Sequence, residues 1–246
     1  MNRNLYILAF LLSSFTNILA ETPVFQPKSI KEIDFEKSSK LFDSAIKKLS
    51  DYKDKVVFTK EEALVLDETK ESFWQVHGGG CSWYCGGGPS SVEASSCLKS
   101  NGEINYEGKN AHDLNYKNAW VEGVKGYGIG EYLKYKFDVY APRITEIIVV
   151  NGYVKSQSAF QNNSRVKRLK VYYNNKAVAI LELKDIMGEQ RFKIGTLGNY
   201  RNVETGEFDS NASDWELKFE ILDVYKGDKY DDTAISEIYF DGIDVH

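Results

Sequence analysis

The sequence predicts an all-β protein, an antiparallel β-sandwich or jelly roll, with a short N-terminal helical segment. Two observations carry this. From about residue 130 onward apolar and polar residues alternate in short runs separated by turn-forming residues, the pattern of strands with one dry and one wet face. Before that, a three- and four-residue apolar period is confined to one stretch near the N-terminus. No tandem repeat or low-complexity tract interrupts the 246 residues.

In chain order, residues 1–20 read as a secretory signal peptide: Arg3, an apolar run from Leu5 to Leu12, and Ala20 before a polar sequence. The run is too short to span a bilayer, and no later segment reaches that length, so an exported protein without a transmembrane segment is expected. Residues 21–72 form the helical N-terminal segment. Within it, residues 29–53 carry Phe42, Ala45, Ile46, Leu49 and Tyr52 at helical spacing, and Thr59 with Glu62 has the spacing of a capping box opening a second helix. The stretch GGGCSWYCGGGPSS then breaks any helix with six glycines and a proline.

Residues 73–246 are assigned to the β-domain. Leu133, Tyr135 and Phe137 alternate with Lys134 and Lys136. Leu169, Val171 and Tyr173 repeat the pattern, as do Trp215, Leu217, Phe219 and Ile221 against Glu216, Lys218 and Glu220. Further strands are read near Ile147–Asn151, Val178–Leu183, Arg191–Ile194 and Ile235–Phe240.

The formal net charge is -5, and loss of the leader would remove Arg3 and no acid. An acidic chain without a Lys/Arg cluster argues against nucleic acid or anionic membrane as the main partner. The three cysteines are Cys81, Cys85 and Cys97. An oxidising compartment favours a disulfide among them. Cys81–Cys85 is preferred because the intervening Ser82, Trp83 and Tyr84 can form one tight turn, although pairing with Cys97 is not excluded by loop entropy.

Catalytic signatures are sparse. His77, His112 and His246 sit in no metalloprotease helix, and no nucleophile elbow occurs. The run GYGIG lacks dinucleotide-binding spacing and leads into a strand. Asp231 and Asp232 form an acidic pair, but neighbours on a strand point opposite ways, which suits loop structure or ligand hydrogen bonding better than paired acid–base catalysis. Several of the sixteen tyrosines fall at turns, including Tyr127, Tyr153, Tyr225 and Tyr230, where a ring face and a hydroxyl suit stacking on sugars. NNS at Asn162 and NAS at Asn211 are glycosylation sequons. The run NAHDLNYKNAW ahead of Trp120 gathers Asn110, Asp113, Asn115 and Asn118. It fits either a turn-rich loop or a site for a hard cation.

The strings AHDLNYKNAWVEG, GYGIGEYL, NGYVKS, NSRVKRL and VYKGDKYDDTAISEIYF, in this order, resemble the discoidin-like translocation domain of bacterial NAD glycohydrolases, related to factor V/VIII type C domains. The resemblance runs from about Ser82 to Phe240. It implies a galactose-binding-like jelly roll and a non-catalytic module that engages glycans or a glycosylated surface, without the NAD-cleaving domain and without an organic cofactor. It also implies a structural Ca2+ held by Asp113, Asn115 and Asn118 with Glu237 closing the site, and Leu114 stands where the family usually has glycine. Ligands in such folds bind loops at one end of the sandwich. Here that places Tyr153, Lys155, Asn163, Arg165, Tyr225 and Asp231 as binding residues, with Arg165 and Lys155 suited to hydroxyls or a carboxylate. Two other functions compete: docking of a protein partner through the N-terminal helix, and a glycan hydrolase built on the acidic loop.

Overall fold

A computed structural model describes residues 21–51, 55–202 and 204–245. The signal peptide, Tyr52 and His246 lie outside the described residues. The strands are β1 (Val24–Phe25), β2 (Ser29–Glu32), β3 (Ser91–Ala94), β4 (Trp120–Val121), β5 (Tyr132–Phe137), β6 (Ile144–Asn151), β7 (Ser164–Tyr173), β8 (Lys176–Glu182), β9 (Gly188–Leu197), β10 (Trp215–Tyr225) and β11 (Thr233–Gly242). The helices are α1 (Phe35–Asp51), α2 (Lys60–Val65) and α3 (Gln157–Asn162).

Hydrogen bonding follows one path, β2-β9-β6-β11-β7-β10-β5-β3, with β8 and β1 attached beyond β7 and β4 on β11. The path folds over at a short parallel pairing of β7 with β11, where Ser164 faces Thr233 and Arg165 faces Ala234. The layers on either side of this seam bury one core. Phe240 on β11 meets Tyr135 and Phe137 on β5 at ring distances of 5.4 and 5.6 Å. The expected strands all form, and the pairings are antiparallel except at the β7–β11 seam and between β1 and β8. In β5 and β10 the alternation works as read, with Leu133, Tyr135, Phe137, Leu217, Phe219 and Ile221 inward.

A buried side chain completes the seam. Asn151 at the end of β6 donates from Nδ2 to the Val166 carbonyl at 2.6 Å and accepts the Val166 N–H at 2.9 Å. Its carboxamide takes the place of a peptide group from a missing strand partner. This satisfies two backbone groups that would otherwise be buried unpaired, at about 1–3 kcal/mol each.

Two expectations are corrected. The helix read over residues 29–53 begins only at Phe35. Ser29–Glu32 instead pairs antiparallel with Arg191–Gly188 on β9, and Asp34 starts the helix by accepting the Lys37 N–H through its carboxylate at 2.9 Å. A free sheet edge outcompetes the weak helix preference of Ser-Ile-Lys-Glu. The single dry face also fails for β6 and β11, whose residues are buried on both faces. Their outer face is covered by the N-terminal segment. Phe35 packs on Tyr116 and Trp74, and Ile148, Val150, Val154 and Tyr239 join the same cluster. Burial on both sides explains the unbroken apolar run Ile147–Val150. The Thr59–Glu62 capping box forms as written. Its Glu62 carboxylate is held down to about 2 by hydrogen bonding to Lys48 and to the Thr59 N–H.

Candidate functional site

A cavity of about 560 Å³ opens at the end of the sandwich where the seam lies. One wall comes from the β6–β7 connection: Tyr153, Lys155, Ser156, Ser158, Asn162 and Asn163. Leu98, Lys99, Asn101 and Tyr106 also line the cavity, with Tyr230 and Asp232 from the loop before β11.

Local chemistry fixes these walls. Gly152 turns the chain out of β6 at φ 74°, where a Cβ would lie 2.7 Å from the Arg165 side chain and 2.8 Å from the Phe160 ring. Ser156 then caps α3 by accepting the Ala159 N–H at 3.1 Å. The α3 end and the 226–232 loop are joined by backbone bonds. Lys229 and Tyr230 both donate to the Asn162 carbonyl, and Ser164 donates to the Asp232 carbonyl. Lys155 places its ammonium 4.3 Å above the Tyr153 ring, and Tyr106 meets that ring edge-on at 6.4 Å. Tyr230 is 42% exposed at the rim. Asp232 titrates above the usual carboxylate range because burial disfavours its charge and Asp231 lies beside it.

Three of the six expected ligand residues line this cavity: Tyr153, Lys155 and Asn163. The other three do not. Arg165 is 8% exposed, and its guanidinium is fully engaged. Nε and Nη2 bind the Asp185 carboxylate at 2.9 and 2.7 Å, while Nη1 donates to the carbonyls of Asn163 and Lys226. Arg165 therefore rivets the loops that build the cavity. Tyr225 donates its hydroxyl to the Leu183 carbonyl at 3.0 Å, outside the cavity. Asp231 is exposed, and its neighbour Asp232 takes the inward position. Tyr230, read from the sequence as a turn tyrosine suited to stacking on sugars, also lines the cavity, and Lys99, Asn101 and Tyr106 line it without having been singled out.

The turn before Trp120 has a separate arrangement. The Asp113 carboxylate accepts the Asn115 N–H at 3.0 Å and the Asn118 carboxamide N–H at 2.6 Å. Glu237, 0% exposed, accepts the same Asn115 N–H at 2.7 Å through Oε1, while its buried Oε2 has no hydrogen-bond partner. Burial and the Asp113 charge push the Glu237 carboxyl well above its ordinary range. Asn115 meets Glu237 through its backbone, because its carboxamide oxygen accepts the Lys117 N–H within the turn. The Asn110 carboxamide donates to the Asn105 and Ala119 carbonyls. Leu114 adopts φ 58°, the left-handed conformation that glycine supplies without strain. Among the described residues, no three His, Cys, Asp or Glu side chains converge as a metal cluster. The fit to a hard cation rests on two neighbouring carboxylates, an orphaned buried oxygen and nearby amide oxygens.

Other sequence features are absorbed by structure. His112 lies in the core with Nδ1 2.7 Å from the Ile238 carbonyl oxygen, and burial pushes its pKa down to about 4. His77 packs against the rings of Tyr84 and Tyr239. GYGIG is a loop whose Gly128, at φ 65°, passes so close to Glu122 that a Cβ would lie 2.4 Å from that side chain. The Cys81 and Cys85 sulfurs stand 3.3 Å apart, beyond the roughly 2.05 Å of a disulfide bond, and the Ser82 N–H donates to the Cys85 sulfur.

The family model for the NAD glycohydrolase translocation F5/8 type C domain matches residues 83–241, more than half of the chain. No curated relative matches it. Among solved structures, the chain is similar to the CBM32-1 and CBM32-2 domains of Clostridium perfringens ZmpB in complex with GalNAc, at 9% identity and TM-score 0.42, covering 63% of this chain and 33% of that one. It thus spans about a third of that protein's length. It is also similar to Clostridium perfringens CpGH89CBM32-5 in complex with GalNAc-β-1,3-galactose, at 12% identity and TM-score 0.40, covering 60% and 91%. The Streptococcus pyogenes NAD+-glycohydrolase translocation domain matches at 27% identity and TM-score 0.30, covering 48% and 91%.

The contacts of Arg165 give a direct prediction. Arg165→Met strands the Asp185 carboxylate and the carbonyls its guanidinium serves, so stability falls by about 3 kcal/mol. Urea unfolding measures this. A variant of unchanged stability would return Arg165 to the ligand-binding set.

Proposed function

The chain belongs to the family of NAD glycohydrolase translocation F5/8 type C domains, and on that premise we propose that it is an exported, non-catalytic module that binds carbohydrate. The observation that carries this reading is the cavity at the seam, where tyrosine rings and polar side chains line one concave space. The Tyr230 ring at the rim offers an apolar face to a sugar, and Asp232 and Asn163 offer acceptors to its hydroxyls. Lys155 sits within the same wall. Nothing in this arrangement requires bond cleavage. The protein would act by holding a glycan or glycosylated surface against whatever it is attached to or secreted with.

A second reading, docking of a protein partner, keeps one supporting observation. Val57 and Leu64, beside α1, are 78% and 86% exposed. The apolar face of α1 itself is already spent, since Phe35, Phe42 and Ala45 are buried. No helix of the described residues is long and apolar enough to cross a membrane.

We also propose that Ca2+ occupies the turn before Trp120, held by Asp113 and Glu237 with amide oxygens of the Asn110–Asn118 turn. It would neutralise the two adjacent carboxylates and give the orphaned Glu237 oxygen a partner. The role is structural, tying the turn to β11. In the oxidising compartment that export implies, Cys81 and Cys85 would close into a disulfide, needing only about 1.3 Å of approach from their present separation.

Three measurements test these statements. A glycan array should show the purified protein binding a coherent sugar family. Tyr230→Ala and Asp232→Asn should each weaken that binding about tenfold without shifting the melting temperature. A blank array with folded protein would sink the carbohydrate reading and favour docking at Val57 and Leu64. Calcium should raise the melting temperature and chelator should lower it. Burial and the Asp113 charge raise the pKa of Glu237, so a proton competes with Ca2+ for this carboxylate and the affinity for the ion should fall as pH is lowered. A melting temperature indifferent to chelator would remove the ion. Thiol titration of unreduced, denatured protein should find Cys97 alone reactive, and three reactive thiols would exclude the disulfide.

A further inference from the structure

The cavity has a sign of charge opposite to that of the molecule. The chain is formally -5, yet two ammonium groups and one carboxylate line this space: Lys99, Lys155 and Asp232. Neither lysine enters an ion pair among the described residues. Lys134, Lys136, Lys167 and Lys218, by contrast, each have a carboxylate within 4.0 Å, and what distinguishes Lys99 and Lys155 among the other lysines without one is that they line the cavity. Lys155 is half-buried and steadied over the Tyr153 ring, so its ammonium is held over one wall. Lys99 comes from a separate segment, following Leu98, whose N–H bonds the Val121 carbonyl. Burial raises the pKa of Asp232, the single carboxylate in the lining, and the nearby Asp231 adds to that shift. Arg165, which holds the loops of the cavity, is paired with Asp185 and does not line it.

Two lysines without an ion-pair partner among the described residues thus line one concave space together with tyrosine rings. We propose that this cavity selects acidic glycans, sugars bearing a carboxylate or sulfate, with Lys155 and Lys99 as the groups that take the anion. The inference rests on the carbohydrate reading above and sharpens it from sugars in general to anionic ones. Asp232 and Asn163 remain acceptors for neutral hydroxyls on the same ligand, so the anion adds selectivity to hydroxyl recognition.

Matched pairs of probes test this on the full chain. Galactose is compared with galacturonic acid, and N-acetylglucosamine with its 6-sulfate, by titration calorimetry at low and high NaCl. The acidic member of at least one pair should bind about tenfold more tightly at low salt, and the advantage should shrink as screening shortens the reach of the lysines. Lys155→Met and Lys99→Met should each reduce the acid-to-neutral ratio, and Lys99→Arg should retain it. Lys99 has no described partner, so its variants keep the test valid even if Lys155→Met disturbs the packing of Tyr153. Equal binding of acidic and neutral members, or an acid advantage unchanged in Lys99→Met and Lys155→Met alike, overturns the inference while leaving the carbohydrate reading standing. Absence of binding to all four probes overturns the inference, and a blank array alongside it removes the carbohydrate reading as well.

Discussion

The fold depends on the seam where β7 leaves its neighbours and meets β11. A parallel contact of so few residues cannot by itself hold two layers in register. The buried Asn151 carboxamide supplies the rest, bonding both backbone groups of Val166 in a dry interior. In such a site a lost partner costs the full desolvation of the group left behind. The strand ends are thereby fixed to one another, and the segments that depart from them inherit that precision. Gly152 follows Asn151 directly, and Ser164 and Arg165 precede Val166. The cavity is therefore built on strand ends that are bonded to one another, although its lining is loop.

Charge is used sparingly and at edges. Arg165 with Asp185 clamps the loops of the cavity, Arg143 with Asp244 clamps the C-terminal end, and Lys48 with Glu62 clamps the two helices. The first two reinforce strand ends that the sheet already pairs, and the third joins helices that lie outside it. Inside the core the titratable groups are kept uncharged instead. His112 is held neutral against the Ile238 carbonyl, and the adjacent residue on the other side of the strand, Glu237, is driven toward its protonated form. A cation beside Asp113 would favour the charged form of Glu237.

Much of the fold was legible because alternation is a local property. Leu133, Tyr135 and Phe137 announce β5 without reference to any other strand, and Thr59 with Glu62 announces its helix within four residues. Ser29–Glu32 was not legible as strand, since its four residues suit either state and only the exposed edge of β9 decides between them. The site was less readable, for the same reason. Whether Arg165 meets a ligand depends on Asp185, twenty positions away and unremarkable in sequence. Asp231 and Asp232 differ only in which way they point, and this is set by the pairing of Ser164 with the Asp232 carbonyl. Lys99 and Tyr106 precede the rest of the lining by tens of residues, and no periodicity marks them as its neighbours.

The matched family region begins at residue 83, but the layer it forms is not complete there. The outer face of β6 and β11 is apolar and is closed by Phe35, Phe73, Trp74 and Val76, all of which precede that boundary. Phe35 lies 5.2 Å from Tyr116, so a residue of the shared module and a residue outside it form one contact. Heredity must treat these two stretches as a single unit. A change in the size of Tyr116 or Tyr239 is felt by Phe35 and its neighbours, and the two stretches cannot drift independently. A chain that carries the same module behind a different leading segment has to cover this face with other side chains, and the surface of β6 and β11 should differ between such chains more than the seam does.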